Sequence, residues 1–143
     1  MVNEFSAMAL VFSQKNGTVC LLQAYDGKWV FPKGHVTSSE SSIKAACRET
    51  REEAGVIINP HDCFAVIDGF SYCFLKVGIP VKKRVAVFAF SIPEATKIFT
   101  QEREFFGGGW FYYDTAISII TYDDEREAFK KAYSEFMRQL DVY

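Results

Sequence analysis

Glu49, Glu52 and Glu53 fall within five consecutive residues, and a helical reading of that segment brings the three carboxylates together. Ser41 and Ser42 are candidate N-caps, glutamates and alanines favour a helix interior, and Gly55 offers the left-handed conformation that ends a helix. A helix from about Ser42 to Ala54 is therefore expected. On it Glu49 and Glu53 stack four residues apart, with Glu52 three from Glu49. Carboxylates so close repel one another, and a divalent cation would remove that cost. A cluster of oxygen donors with no accompanying Cys or His cluster suits magnesium better than zinc. Arg48, four residues before Glu52, can hold a carboxylate by a bidentate pair. Ile43, Cys47, Thr50 and Ala54 form the mostly apolar stripe that should face a core.

Extended upstream, the pattern becomes specific. Gly34 is followed after five residues by Glu40, and seven residues later come Arg48-Glu49-Thr50-Arg51-Glu52-Glu53-Ala54-Gly55-Val56. Gly34, Glu40, Arg48, Glu49, Glu52, Glu53 and Gly55 match all seven identity-fixed positions of the Nudix box, so the chain resembles the Nudix hydrolase family. Thr50 stands where that family usually has an aliphatic residue, which implies a slightly poorer contact between helix and sheet.

Similarity to the diadenosine tetraphosphate hydrolase branch rests on Leu21-Leu22-Gln23-Ala24-Tyr25-Asp26-Gly27, Trp29 and Pro32-Lys33-Gly34-His35-Val36. It continues more weakly through Asp68-Gly69-Phe70, Lys83 and the spacing from Glu104 to Trp110. Where that branch carries a tyrosine after the Gly-Phe pair, this chain has Lys76, with Tyr72 and Phe74 nearby.

The resemblance implies magnesium, or manganese in its place, held by Glu49, Glu52, Glu53, Glu104 and the Gly34 carbonyl. It implies a general base at Glu52 or Glu49, with Glu53 the most committed ligand, and a bracing role for Glu40 through Arg48. Lys33 would neutralise a phosphate beside the attacked one. Lys76 and Lys83 are candidate phosphate contacts, Lys83 being equally readable as an edge-strand lysine that discourages aggregation. His35 reads either as a phosphate or loop contact or as an ordinary surface histidine. Tyr72 and Phe105 are candidate stacking rings for a base, with core filling the default for any single aromatic.

The implied reaction is water attack on phosphorus in a dinucleoside polyphosphate, diadenosine tetraphosphate giving ATP and AMP. Other substrates fit the same residues: a capped or triphosphorylated RNA end, a modified nucleoside triphosphate, or a diphosphoinositol polyphosphate. A nucleotide-sensing module that does not cleave is the reading from another class, but it has no need for the intact acidic set.

These residues need a scaffold, and the rest of the chain reads as one. The 143 residues suit a single domain, 1–143, that buries about two thirds of its unfolded surface. Aromatic content of 16%, with 14 Phe, argues for a full core, and a net charge of −2 argues against nonspecific nucleic-acid binding. The four cysteines form no C-x-x-C pair and read as free thiols in a reducing compartment. With no signal-peptide pattern and no apolar run near the ~20 residues of a membrane span, a cytoplasmic monomer or weak homodimer is expected.

Strands are expected at Phe5 to Phe12, Val19 to Tyr25 beyond the Asn16-Gly17 turn, and Lys28 to Phe31 before Pro32. Lys33 to Ser39 reads as a loop. Further strands are expected at Cys63 to Phe70, Tyr72 to Val77, Val81 to Ile92 and Trp110 to Tyr113, with Lys97 to Gly109 a loop holding a short extended piece. Asp114 and Asp123 would cap two closing helices, the second reaching Leu140 with a core stripe from Ala128 onward. The pattern is a mixed β-sheet with helices on its faces, an α/β/α sandwich of the α+β kind, the architecture that the resemblance also implies.

Overall fold

The computed structural model describes residues 1–100 and 104–140. Seven strands among them join one mixed sheet: β1 (Val2–Ser13), β2 (Val19–Ala24), β3 (Trp29–Val30), β4 (Lys33–His35), β5 (Cys63–Lys76), β6 (Ile79–Ile92) and β7 (Phe105–Phe111). The order is β3-β2-β1-β6-β5, with β4 also pairing β1 and β7 pairing β2. Strands β1 and β6 run parallel over their whole length, from Val2 beside Val81 to Ser13 beside Ile92. Helix α1 (Ser42–Ala54) lies on one side, and α2 (Tyr113–Ile119) and α3 (Asp123–Leu140) on the other.

The alternation of side chains along β1 divides the core. Met8, Leu10 and Phe12 point to the side of α2 and α3, where Phe12 stacks on Phe136 with ring centroids 4.7 Å apart. Ala7, Ala9 and Val11 point the other way, against Ala45, Ala46 and Ala54 of α1. Small residues on both surfaces let the acidic helix sit close to the sheet. Thr50 is fully buried there, its hydroxyl donating to the Ala46 carbonyl at 2.7 Å, so the substitution for an aliphatic residue leaves no unsatisfied donor.

Helix α1 has the expected bounds. The Ser41 hydroxyl accepts from the Lys44 amide, and Gly55, at φ 69°, donates its N–H to Arg51. Its buried set is Ala45, Ala46, Thr50, Glu53 and Ala54, whereas Ile43 and Cys47 of the anticipated stripe are half-buried.

Several expectations need correction. Lys33–His35 is not loop but strand β4, pairing with Ser6–Met8 of β1. The two strands expected on either side of Gly69 are one, β5, with a bulge where a Cβ at Gly69 would lie 2.4 Å from the Val85 carbonyl. Strand β7 runs unbroken through Gly107–Gly109, and a Cβ at Gly108 would lie 2.7 Å from the Leu21 carbonyl of β2. These glycines permit close strand approach and do not end strands. Strand β6 lies between β1 and β5, so Lys83 is not on an edge strand. Helix α2 begins at Tyr113, one residue before the expected Asp114 cap, and Asp123 lies inside the first turn of α3.

On α3, Ala128, Phe129, Ala132 and Phe136 are buried as the stripe requires, while Met137 and Leu140 remain exposed. The cysteines are free thiols: Cys20 is buried, Cys47 and Cys63 half-buried, and Cys73 exposed. Burial pushes the Cys20 thiol up to about 12. No helix among the described residues is long and apolar enough to cross a membrane.

Candidate active site

Strand β4 and helix α1 meet at one contact that excludes any side chain but hydrogen. A Cβ at Gly34 would lie 2.0 Å from the Glu49 carboxyl carbon. Glycine there lets the β4 backbone rest directly against a carboxylate.

Beside it, Glu53 is 4% exposed and accepts the backbone N–H of Lys33 at 2.9 Å. Burial pushes its carboxyl up to about 9; the Lys33 amide opposes that shift, and the nearby Glu49 and Glu104 carboxylates add to it. Glu104 is exposed and comes from the segment before β7, so a carboxylate from outside the helix does reach the cluster.

Arg48 spends its whole guanidinium inside the protein. Its Nε and Nη2 donate to the two Glu40 oxygens at 3.1 and 2.8 Å, Nη1 donates to Glu49 at 2.9 Å and Glu52 at 3.1 Å, and Nη2 also reaches the His35 carbonyl at 2.9 Å. Glu40 in turn accepts the Thr37 amide at 3.1 Å. Its carboxyl is held down to about 2, first by the Arg48 hydrogen bonds and then by the Thr37 amide. Arg48, expected to hold a carboxylate, thus ties the 35–40 loop to the acidic helix. The His35 carbonyl accepts from Arg48, while His35 is exposed and lines the cleft with Lys33 and Gly34.

A cleft of about 380 Å³ is lined by the carboxylates Glu49, Glu52, Glu53 and Glu104 and by Lys33 and Lys83. Glu52 is the more open of two helix carboxylates, its side chain 39% exposed against 14% for Glu49. Among the described residues no three Asp, Glu, His or Cys side chains converge closely enough to hold an ion as they stand, and Glu49 and Glu52 both bond Arg48.

Lys33 also belongs to a neighbouring pocket of about 310 Å³, lined further by Phe70, Tyr72, Tyr122, Asp124 and Glu125. Its ammonium lies 3.4 Å from the Tyr72 hydroxyl and 5.5 Å from the ring centre. Phe70 and Tyr72 run stacked at 6.4 Å, and both line this pocket.

Two expected contacts lie elsewhere. Phe105 is 8% exposed and packs in the α1-side core, so it offers no ring face to a base; its neighbour Phe106 points to solvent. Lys76 lies at the end of β5, lines neither cavity, and donates to Glu4 at 3.2 Å. Glu4 also sits 3.7 Å from Lys83. Its burial opposes ionisation, but the Lys76 hydrogen bond and the charges of Lys76, Lys83 and His35 outweigh it and lower the carboxyl.

Sequence reasoning missed Ser6, Phe70, Tyr122, Asp124 and Glu125 as wall residues, and Glu4 as the partner of Lys76 and Lys83. Glu125 reads as one more acid in a helix's first turn, yet it is 2% exposed and accepts the Phe31 amide at 3.1 Å. Thr121, four residues before it, accepts the Trp29 amide at 2.9 Å. Together they pin the strand leading to Lys33, a role that only the pair's i,i+4 spacing beside a helix start hinted at.

Comparison with known proteins places the chain among relatives. The family model described as NUDIX domain matches residues 3–139. The asymmetrical bis(5'-nucleosyl)-tetraphosphatase of Sus scrofa is 29% identical over 115 residues, 79% of this chain and 76% of the relative. The Mus musculus protein of that name is 42% identical over 65 residues, 43% of this chain; the match spans only 42% of that relative's length. The solved Ap4A hydrolase of C. elegans, in a binary complex, superposes with a TM-score of 0.64 at 22% identity, covering 98% of this chain and 99% of that one. The dihydroneopterin triphosphate pyrophosphohydrolase of E. coli gives 0.72 at 19% identity, covering 92% and 97%. At these identities the solved structures establish a common fold.

Proposed function

We propose that this chain, which belongs to the NUDIX domain family and is a pyrophosphohydrolase, cleaves a diphosphate linkage in a dinucleoside polyphosphate, with diadenosine tetraphosphate giving ATP and AMP. The observation that carries the proposal is the acidic cleft: Glu49, Glu52 and Glu53 line it together with Lys33, and Glu53 is almost fully buried, its burial the largest cause of its raised carboxyl. A sensor that only reads a nucleotide has no use for that cost.

The donor set suits a hard divalent cation. It is all oxygen, the glycine at position 34 keeps a side chain out of the cradle, and the surroundings of Glu53 disfavour its ionised form, which a bound cation would favour. Glu49, Glu52, Glu53, Glu104 and the Gly34 carbonyl would hold magnesium, with manganese as a substitute. When bound, the cation offsets phosphate charge and acidifies water.

The side chains divide the remaining work. Water attacks phosphorus, a new P–O bond forms, and the bridging P–O bond breaks with its electrons on the leaving phosphate. Glu52 is the favoured proton acceptor, because Glu53 is held by the Lys33 amide and Glu49 is wedged against Gly34, while Glu52 stays open to solvent. Lys33 neutralises the phosphate beside the attacked one, and Lys83 is placed for the next. Arg48 and Glu40 keep the loop and the carboxylates in register.

Recognition of a nucleoside end is supported by the pocket that shares Lys33, where Phe70, Tyr72 and Tyr122 supply ring surface. Stacking of a base there would contribute about 1–3 kcal/mol. The experiment is product analysis over a panel of dinucleoside polyphosphates, nucleoside triphosphates and capped RNA in ¹⁸O water. The proposal expects ATP and AMP from diadenosine tetraphosphate, with label in one product; preferential cleavage of another class would replace the substrate.

A further inference from the structure

The sheet face that carries the cleft continues into a group of charges of which the proposed cleavage uses only Lys83. Strand register puts Glu4 of β1 beside Lys83 of β6, and Lys83 beside Tyr72 of β5. Glu4 divides its carboxylate between two ammoniums: Oε2 accepts from Lys76 at 3.2 Å, and Oε1 lies 3.7 Å from Lys83. The Glu4 and Lys83 side chains are only 16% and 15% exposed, so solvent screens their attraction far less than that of an open surface pair. Phe74 covers the same ammonium, which lies 5.7 Å from its ring centre. Lys83 also lines the cleft with Lys33. An anion has therefore been built against the lysine that a second phosphate would use, in a place where a polyanion site has no need of one.

We infer that Glu4 is a specificity-determining residue that limits how far a phosphate chain can profitably extend beyond the attacked linkage. The inference rests on the pyrophosphohydrolase reading above. A short chain reaches Lys33 and leaves Glu4 undisturbed. A chain whose charge extends to Lys83 competes with Glu4 for that ammonium, and after displacing it still has a carboxylate of like charge at close range. Lys76, at the far side of Glu4, is withheld in the same way. Ser6, two residues along β1, is 2% exposed, and its hydroxyl has no hydrogen-bond partner, so the floor holds one further donor not yet spent.

The probes are inorganic pyrophosphate and inorganic tripolyphosphate, titrated calorimetrically into wild-type protein and Glu4→Gln, which keeps the shape and loses the charge. Tripolyphosphate should bind roughly three- to tenfold more tightly to the variant, and pyrophosphate by less than about twofold, the difference expected from removing one partly screened charge near the longer ligand only. Glu4→Asp should retain the wild-type ratio between the two ligands. Equal gains for both ligands, no gain for either, or no tripolyphosphate binding to either protein would overturn the inference. If Glu4→Gln does not melt cooperatively, Glu4→Thr, an uncharged strand former, takes its place with the same expectation. None of these titrations needs turnover. Failure of wild-type protein to cleave any member of the substrate panel would sink the pyrophosphohydrolase reading separately.

Discussion

The backbone N–H of Lys33 donates to the carboxylate of Glu53 at 2.9 Å, across 20 residues of chain. One hydrogen bond thus fixes the distance between the residue best placed to meet phosphate and the most buried acid of the cluster. The Lys33 side chain leaves that anchor toward Tyr72, on the boundary between the acidic cleft and the aromatic pocket.

Glu53→Gln keeps the Lys33 anchor, since an amide oxygen still accepts, but removes the charge. Turnover should fall by roughly 10²–10⁴. The thermal midpoint of the metal-free protein should hold or rise, because the folded chain no longer has to keep protonated a carboxyl that ionises readily once unfolded. Steady-state kinetics with magnesium and a melting curve check both, and near-normal turnover would remove the carboxylate cluster from the chemistry.

Gly34→Ala tests the contact between β4 and α1. With a Cβ 2.0 Å from the Glu49 carboxyl carbon, strand or carboxylate must move. A loss of about 1–3 kcal/mol of stability is expected from such overpacking, together with a larger loss of kcat than of stability. Calorimetric melting and kcat measured on the same preparation separate the two effects.

Lys33→Ala should lower kcat/KM by roughly 10- to 100-fold, as expected for losing one preorganised cation at a charged transition state. Lys33→Arg should recover part of it. An unchanged kcat/KM would make Lys33 a solvated lysine after all.

Glu40 gives the pH dependence. Its folded carboxyl titrates near 2, against an ordinary value of 4.5, because Arg48 and the Thr37 amide favour the ionised form. The unfolded chain therefore binds this proton first as pH falls. The stabilisation is fully present above about 4.5 and is lost as pH drops from there toward 2. Chemical denaturation at a series of pH values should show a shallower acid limb in Glu40→Gln than in wild type.

How much of this was legible depended on sequence separation. Helix α1, its caps and its acids are local: Ser41, Glu49, Glu53 and Gly55 lie within 15 residues, and each offset maps directly onto helical geometry. Strand β4 was missed because three residues carry no periodicity; it exists only by pairing with Ser6–Met8. Gly69 and Gly108 looked like breaks because sequence cannot tell a turn glycine from one that admits a neighbouring carbonyl. Phe105 and Phe106 are indistinguishable as letters, yet alternation in β7 buries one and exposes the other. Glu4 meets Lys83 only through the parallel register of β1 and β6, which no local pattern encodes.

Manganese titration followed by electron paramagnetic resonance, with a nucleotide present, puts the carboxylate cluster to its most direct test. Wild-type protein should remove manganese from the free pool at stoichiometric levels, and Glu53→Gln should weaken that uptake by roughly tenfold or more, as loss of a charged ligand requires. Uptake that is absent in wild type, or equal in both proteins, would contradict the account.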